Sequence, residues 1–86
     1  MEFELSAHTK DMLKERKIAE AWLWRTVEHP DWLQKGSDNN VHHFKIIPEY
    51  NGRILHVVIN ANILPNKIVT VFFDRRARRQ DEAKSR

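Results

Sequence analysis

The side chains able to do chemistry in this chain are mostly histidines and arginines. His8, His43 and His56 are spread along it, and Arg75, Arg76, Arg78 and Arg79 cluster where the apolar run IVTVFFD stops. Histidine titrates near neutrality and suits either proton-transfer role. Arginine grips phosphate in a planar fork. Such a metal-free set can cleave RNA. The 2′-hydroxyl is the built-in nucleophile, a base takes its proton, an acid protonates the leaving oxygen, and cations stabilise the charged phosphorane. The residue types permit this chemistry without requiring it. His8 can simply cap a helix, His43 and His56 can be solvated strand residues, Arg16 can end a helix at its carboxyl end, and Arg53 can be a plain residue after a turn.

Other chemistries are disfavoured. The chain has no cysteine, so disulfides, thiolate metal sites and cysteine nucleophiles are excluded. His42 and His43 are adjacent on a predicted strand and point to opposite faces, which makes them a poor chelating pair. The glycines are Gly36 and Gly52 alone, too few for a dinucleotide or P-loop fingerprint. No cofactor and no metal site is expected.

The elements that must position these side chains follow from pattern. Ser6 precedes AHTKDMLKER and can accept a bond from an orphan backbone N–H, so a helix is predicted from Ala7 to about Arg16. Trp22, Leu23 and Val27 repeat at helical spacing, so a second helix runs from Ala19 to about Glu28, and HPD ends it. Four strands are predicted after it: Trp32–Lys35, Val41–Ile47, Arg53–Asn60 and Lys67–Asp74. GSDNN and PEYNG are the first two turns, the latter with the hairpin signal Asn51-Gly52. The fold class is α+β, with two N-terminal helices on one face of an antiparallel sheet of about four strands. Alternation assigns Phe44, Ile46, Leu55, Val57, Ile59, Val69, Val71 and Phe73 to the covered face. His43, Lys45, His56 and Thr70 then lie on the open one. Trp22 and Trp32 read as core or rim packing, and Trp24 as a mark of a partner surface.

The 86 residues allow one modest core, and 41% hydrophobic with 31% charged residues describes a soluble globular chain. There is no signal-like start and no apolar stretch of membrane-spanning length. A cytoplasmic protein fits. From Asp74 to Arg86 six basic residues face three acidic ones, which equals the net charge of the whole chain, +3. This local excess suits an anionic partner such as nucleic acid, or a solubilising tail.

SAHTKDMLKERKI, AWLWRTVEHPD, HFKIIPEYNGRILHVVIN and IVTVFFDRR together resemble the small bacterial family known as domain of unknown function 4258. The likeness runs from Phe3 to about Arg76. It is most specific at Ser6-x-His8, Glu15-Arg16-x-Ile18, Gly52-Arg53-x-Leu55 and the Val69-Thr70 strand leading into Asp74-Arg75-Arg76. The layout is also similar to RelE-like and BrnT-like toxins, small ribonucleases in which a concave sheet and a basic end segment meet RNA. The resemblance implies that His8, Arg16, Arg53, Thr70 and Arg75 occupy the family's polar positions. With His43 added from the face assignment, the expected catalytic set is His8, His43, Arg53, Thr70 and Arg75. Arg16, Arg76, Arg78 and Arg79 are the expected nucleic-acid contacts. The function expected is that of a metal-independent ribonuclease-like toxin, with RNA as substrate and an antitoxin protein as partner. The alternative is a noncatalytic module that binds nucleic acid or protein, and a homodimer is a further expectation. Residues 1–80 form the expected domain and 81–86 a disordered basic tail.

Overall fold

The computed structural model describes residues 3–36 and 38–77. Arg78, Arg79 and the segment 81–86 lie outside the described residues. The elements in order are β1 (Phe3–Glu4), α1 (Ala7–Glu15), α2 (Glu20–Glu28), β2 (Trp32–Lys35), β3 (Val41–Ile47), a short 3-10 turn (Pro48–Tyr50), β4 (Arg53–Asn60) and β5 (Asn66–Phe73). They form one five-stranded sheet in the order β1-β5-β4-β3-β2. Strands β2 to β5 are an antiparallel meander, and β1 adds to its edge parallel to β5, a strand the sequence reading lacks.

Local chemistry explains the helix ends. Ser6 caps α1: its Oγ accepts the Thr9 N–H at 3.2 Å. Lys17, at φ 55°, turns the chain out of α1, and Ile18 then donates to the Leu13 carbonyl at 2.8 Å. In α2 the Thr26 hydroxyl is fully buried and donates to the Trp22 carbonyl at 2.8 Å, which satisfies it within its own helix. Between β3 and β4 the chain makes a turn of 3-10 helix that ends in two left-handed residues, Asn51 (φ 58°) and Gly52 (φ 69°). Gly52 donates back to the Ile47 carbonyl at 3.0 Å.

Both helices lie on one face of the sheet, α1 against β5 and α2 against β4 and β3. The core between the layers contains Met12 and Leu13 of α1, Ile18, and Leu23 and Val27 of α2. Ile47, Leu55, Val57, Ile59, Ile68 and Val71 supply its sheet side. Leu55, Val57, Ile59 and Val71 therefore face the helices as expected, and Phe73 packs against the same core. In β3 the expected phase is reversed. His43 pairs with Val57, and Lys45 with Leu55, so His43, Lys45 and Ile47 take the helix side. Phe44 and Ile46 take the open one. The error has a physical source: the open face is itself apolar, so polarity could not tell the two sides of β3 apart. A bulge at Val58/Ile59 shifts the pairing with β5. Ile68 turns inward, and Val69, expected in the core, is 45% exposed. Among the described residues no helix is long and apolar enough to cross a membrane.

Candidate functional site

The open face of the sheet carries a row of rings, one from each of four strands. The register aligns Trp32 of β2 with Phe44 of β3, Phe44 with His56 of β4, and His56 with Phe72 of β5. Trp32 and Phe44 stack with centroids 4.9 Å apart and planes within 5°. Phe44 lies 4.3 Å from His56, and His56 4.7 Å from Phe72. These cross-strand neighbours bury Phe44 and His56 on a face that has no helix over it.

A chain of polar groups crosses the row at His56. His56 Nδ1 lies 2.9 Å from Asp74 Oδ2, at the end of β5. His56 Nε2 lies 2.7 Å from Nδ1 of His42 on β3. His42 Nε2 in turn lies 3.4 Å from Asp38 Oδ1, in the β2–β3 turn. Burial pushes the Asp74 carboxyl up, but hydrogen bonds from His56 and from the backbone N–H groups of Arg76 and Ala77 outweigh it and hold Asp74 below its ordinary value. Burial holds His56 below the ordinary histidine value, with the Asp74 hydrogen bond opposing and His42 adding to the effect.

These directions fix the protons. An ionised Asp74 only accepts, so His56 Nδ1 carries the hydrogen. A neutral His56 then offers the lone pair of Nε2, and His42 Nδ1 must carry the hydrogen that meets it. His42 Nε2, the other ring nitrogen, ends this chain of groups beside the Asp38 carboxylate. Asp38 is held below its ordinary value chiefly by the Asn40 backbone N–H. The turn approaches closely here. A Cβ on Gly36 would sit 2.5 Å from both His42 Nε2 and Asp38 Oδ1, so the position tolerates only glycine without movement. The array opens on a cavity of about 450 Å³, lined by Gln34, His42, Phe44, His56, Asp74 and Arg76 among others. A base fixed in one tautomer, an amide and a guanidinium around one cavity can bind a phosphodiester and move a proton beside it.

The expected site residues fall in different places. His43 is 6% exposed beneath α2, where its ring bonds the Thr26 backbone and its Nδ1 has no partner. This corrects its expected place on the open face: the reversed phase of β3 sends it into the core. Burial holds it below the ordinary histidine value. His8 is exposed on α1. Arg16 and Thr70 do meet, at 3.3 Å, and Arg16 also donates to the Val71 carbonyl at 2.8 Å. Thr70 donates to Met12 Sδ at 3.6 Å, so its hydroxyl meets α1 rather than standing free on the open face. Arg53 and Arg75 come together around a second cavity of about 350 Å³. Arg76 reaches the first. Trp22 packs against Tyr50 and Phe73 as rim, whereas Trp32 belongs to the open-face row.

The sequence reading assigned no role to His42 or Asp74. In the sequence His42 reads as half of a poor chelating pair, and Asp74 as the end of an apolar run. A signal was present in the length of the β3–β4 turn. A short turn from Pro48 to Gly52 pairs Ile47 with Arg53 and so Phe44 with His56, which sets His42 diagonal to His56 on the same face.

The model of the family described as domain of unknown function DUF4258 matches residues 5–73. The chain belongs to this family. The match takes in both helices and β2 to β5, with His42 and His56, and stops one residue short of Asp74. No curated protein and no solved structure matches the chain.

Proposed function

We propose that the chain is a metal-independent ribonuclease whose proton-transfer group is His42. The observation that carries this is the hydrogen-bonded array Asp74–His56–His42, which ends at a cavity shared with Arg76. In this reading Arg76 and Gln34 hold a backbone phosphate of RNA. His42 Nε2 takes the proton of the adjacent 2′-hydroxyl, and O2′ attacks phosphorus. The bond from phosphorus to the 5′-oxygen breaks, and that oxygen takes a proton from water at the open mouth of the cavity. The products are a 2′,3′-cyclic phosphate and a 5′-hydroxyl end. Asp74 and His56 are positioning residues: they keep His42 Nδ1 protonated, so that the proton is taken at Nε2, where the Asp38 carboxylate 3.4 Å away stabilises the imidazolium that forms. The setting we propose for it is a toxin–antitoxin pair, as the resemblance of its sequence to RelE-like and BrnT-like toxins implies.

The test is incubation of purified protein with mixed RNA in chelator, beside His42→Ala. Chelator removes contaminating metal nucleases from the readout. Wild type should generate new 5′-hydroxyl ends, and the variant should lose about 10²–10⁴-fold in rate. Equal cleavage by both would overturn the assignment. A second reading, a noncatalytic module for single-stranded nucleic acid, is favoured by the ring row from Trp32 to Phe72, on whose outer rings bases could stack. It predicts salt-sensitive binding with no new ends, with translating ribosomes as well as with free RNA.

A further inference from the structure

The second cavity stands apart from the His42 array yet adjoins it. Asp74 and Ala77 line both cavities, so the short segment after β5 is the wall between them. Consecutive arginines serve opposite sides of that wall: Arg76 lines the first cavity and Arg75 the second. Arg53 joins Arg75 there, with its guanidinium carbon 5.1 Å from the centre of the Tyr50 ring. Tyr50 is itself held 4.6 Å from Phe73 and 5.8 Å from Trp22, so the arginine rests on a packed aromatic surface.

Among the described residues the positive charge of this cavity is not compensated. Among the described residues neither Arg53 nor Arg75 has an ion-pair partner. Asp74 is the acid among the described lining residues, and both of its oxygens are engaged elsewhere. Oδ2 faces His56, and Oδ1 accepts the Arg76 N–H at 2.9 Å. Ile54 and Phe73 give an apolar lining that strengthens attraction to an anion. A Cβ at Gly52 would meet nothing within 4 Å, so the side toward the turn is open. Two guanidinium forks on an open, partly apolar cavity match a phosphate group.

We infer that the Arg53–Arg75 cavity is a second phosphate subsite for the same RNA, holding the backbone phosphate next to the one Arg76 meets. The inference rests on the reading that RNA occupies the His42 cavity. It implies that the strand crosses the segment from Asp74 to Ala77, and that the footprint extends beyond the nucleotides at the scissile bond.

The experiment uses the full chain carrying His42→Ala, so that RNA survives the measurement. Binding of a fluorescein-labelled single-stranded RNA is followed by anisotropy over a range of salt concentrations. The comparison is with the same chain also carrying Arg53→Gln and Arg75→Gln. Removing one phosphate contact should make the slope of log K against log salt shallower by about 0.7. Arg53→Lys with Arg75→Lys should restore the slope, since lysine keeps the charge. Both arginines are exposed, and near-UV circular dichroism checks that the fold is unchanged. Coincident slopes, or no RNA binding by the His42→Ala chain, would overturn the subsite. Coincident slopes with wild-type cleavage intact would leave the ribonuclease reading standing. A shifted slope in a protein that never cuts RNA would keep the subsite and assign it to a binding module.

Discussion

At the scale of single residues, the site turns on which nitrogen carries a proton. Asp74 and His42 do not touch, and His56 is bonded to both, so in the proposed mechanism the carboxylate acts on His42 through His56. Asp74→Asn removes the carboxylate whose hydrogen bond and charge raise the His56 value. The His56 pKa should therefore fall further below the ordinary histidine value, as read by proton NMR of the ring. The new amide can also donate to Nδ1 and favour the opposite tautomer, in which His56 Nε2–H points at His42. His42 would then carry its hydrogen on Nε2 and lose its lone pair there. RNA cleavage should drop by about 10²–10⁴-fold, with the tautomer change visible in imidazole nitrogen shifts. An unchanged His56 titration would rule out the relay.

At the scale of elements, the turns decide what the strands present. Gly52 must adopt φ 69° to bring β4 back along β3 in the observed register. The space around it is open, so a side chain there is opposed by backbone strain rather than by a clash. Gly52→Ala should cost about 1–2 kcal/mol of stability in urea unfolding. A loss near zero would mean that the turn relaxes to another conformation. The strand boundaries and helix starts were legible because local signals set them: Ser6 as cap, the Trp22–Leu23–Val27 spacing, the β-branched runs. The phase of β3 was not legible. Phe44 looked like a core residue, and it is buried, but by Trp32 and His56 on the face opposite the helices. Val69 looked equally internal, and a one-residue bulge turned it out.

At the scale of the whole molecule, two histidines are buried on opposite faces of one sheet. His43 is 6% and His56 9% exposed, and burial depresses both values. In the unfolded chain each binds a proton near its ordinary value of about 6.5. Their contribution to stability is thus fully present above that pH and is lost as pH falls through the depressed folded values. Each can add up to about 1.4 kcal/mol per pH unit to the slope of stability in that window. Urea midpoints measured from pH 8 to pH 5 should fall in the acid half of that range. His43→Leu should flatten the slope, since it removes one of the two titrations. A slope identical to wild type would show that His43 takes up no proton differently on unfolding.

The sequence by itself determined both helices, the strands β2 to β5, their order and the α+β class, because caps, turn residues and apolar periods act over a few residues, and its motifs carried the family. It also placed a basic cluster at the end of β5. The union of His42, His56 and Asp74 was decided only in the tertiary structure. His42 lies on β3, His56 on β4 and Asp74 just after β5, and they are brought together by register, which depends on the turn before β4, the bulge opposite β5 and the side from which the helices pack. Adjacent residues were parted by the same cause. His42 and His43 face opposite ways across the sheet, because successive side chains along a strand point to opposite sides, and Arg75 and Arg76, in the turn after β5, line different cavities.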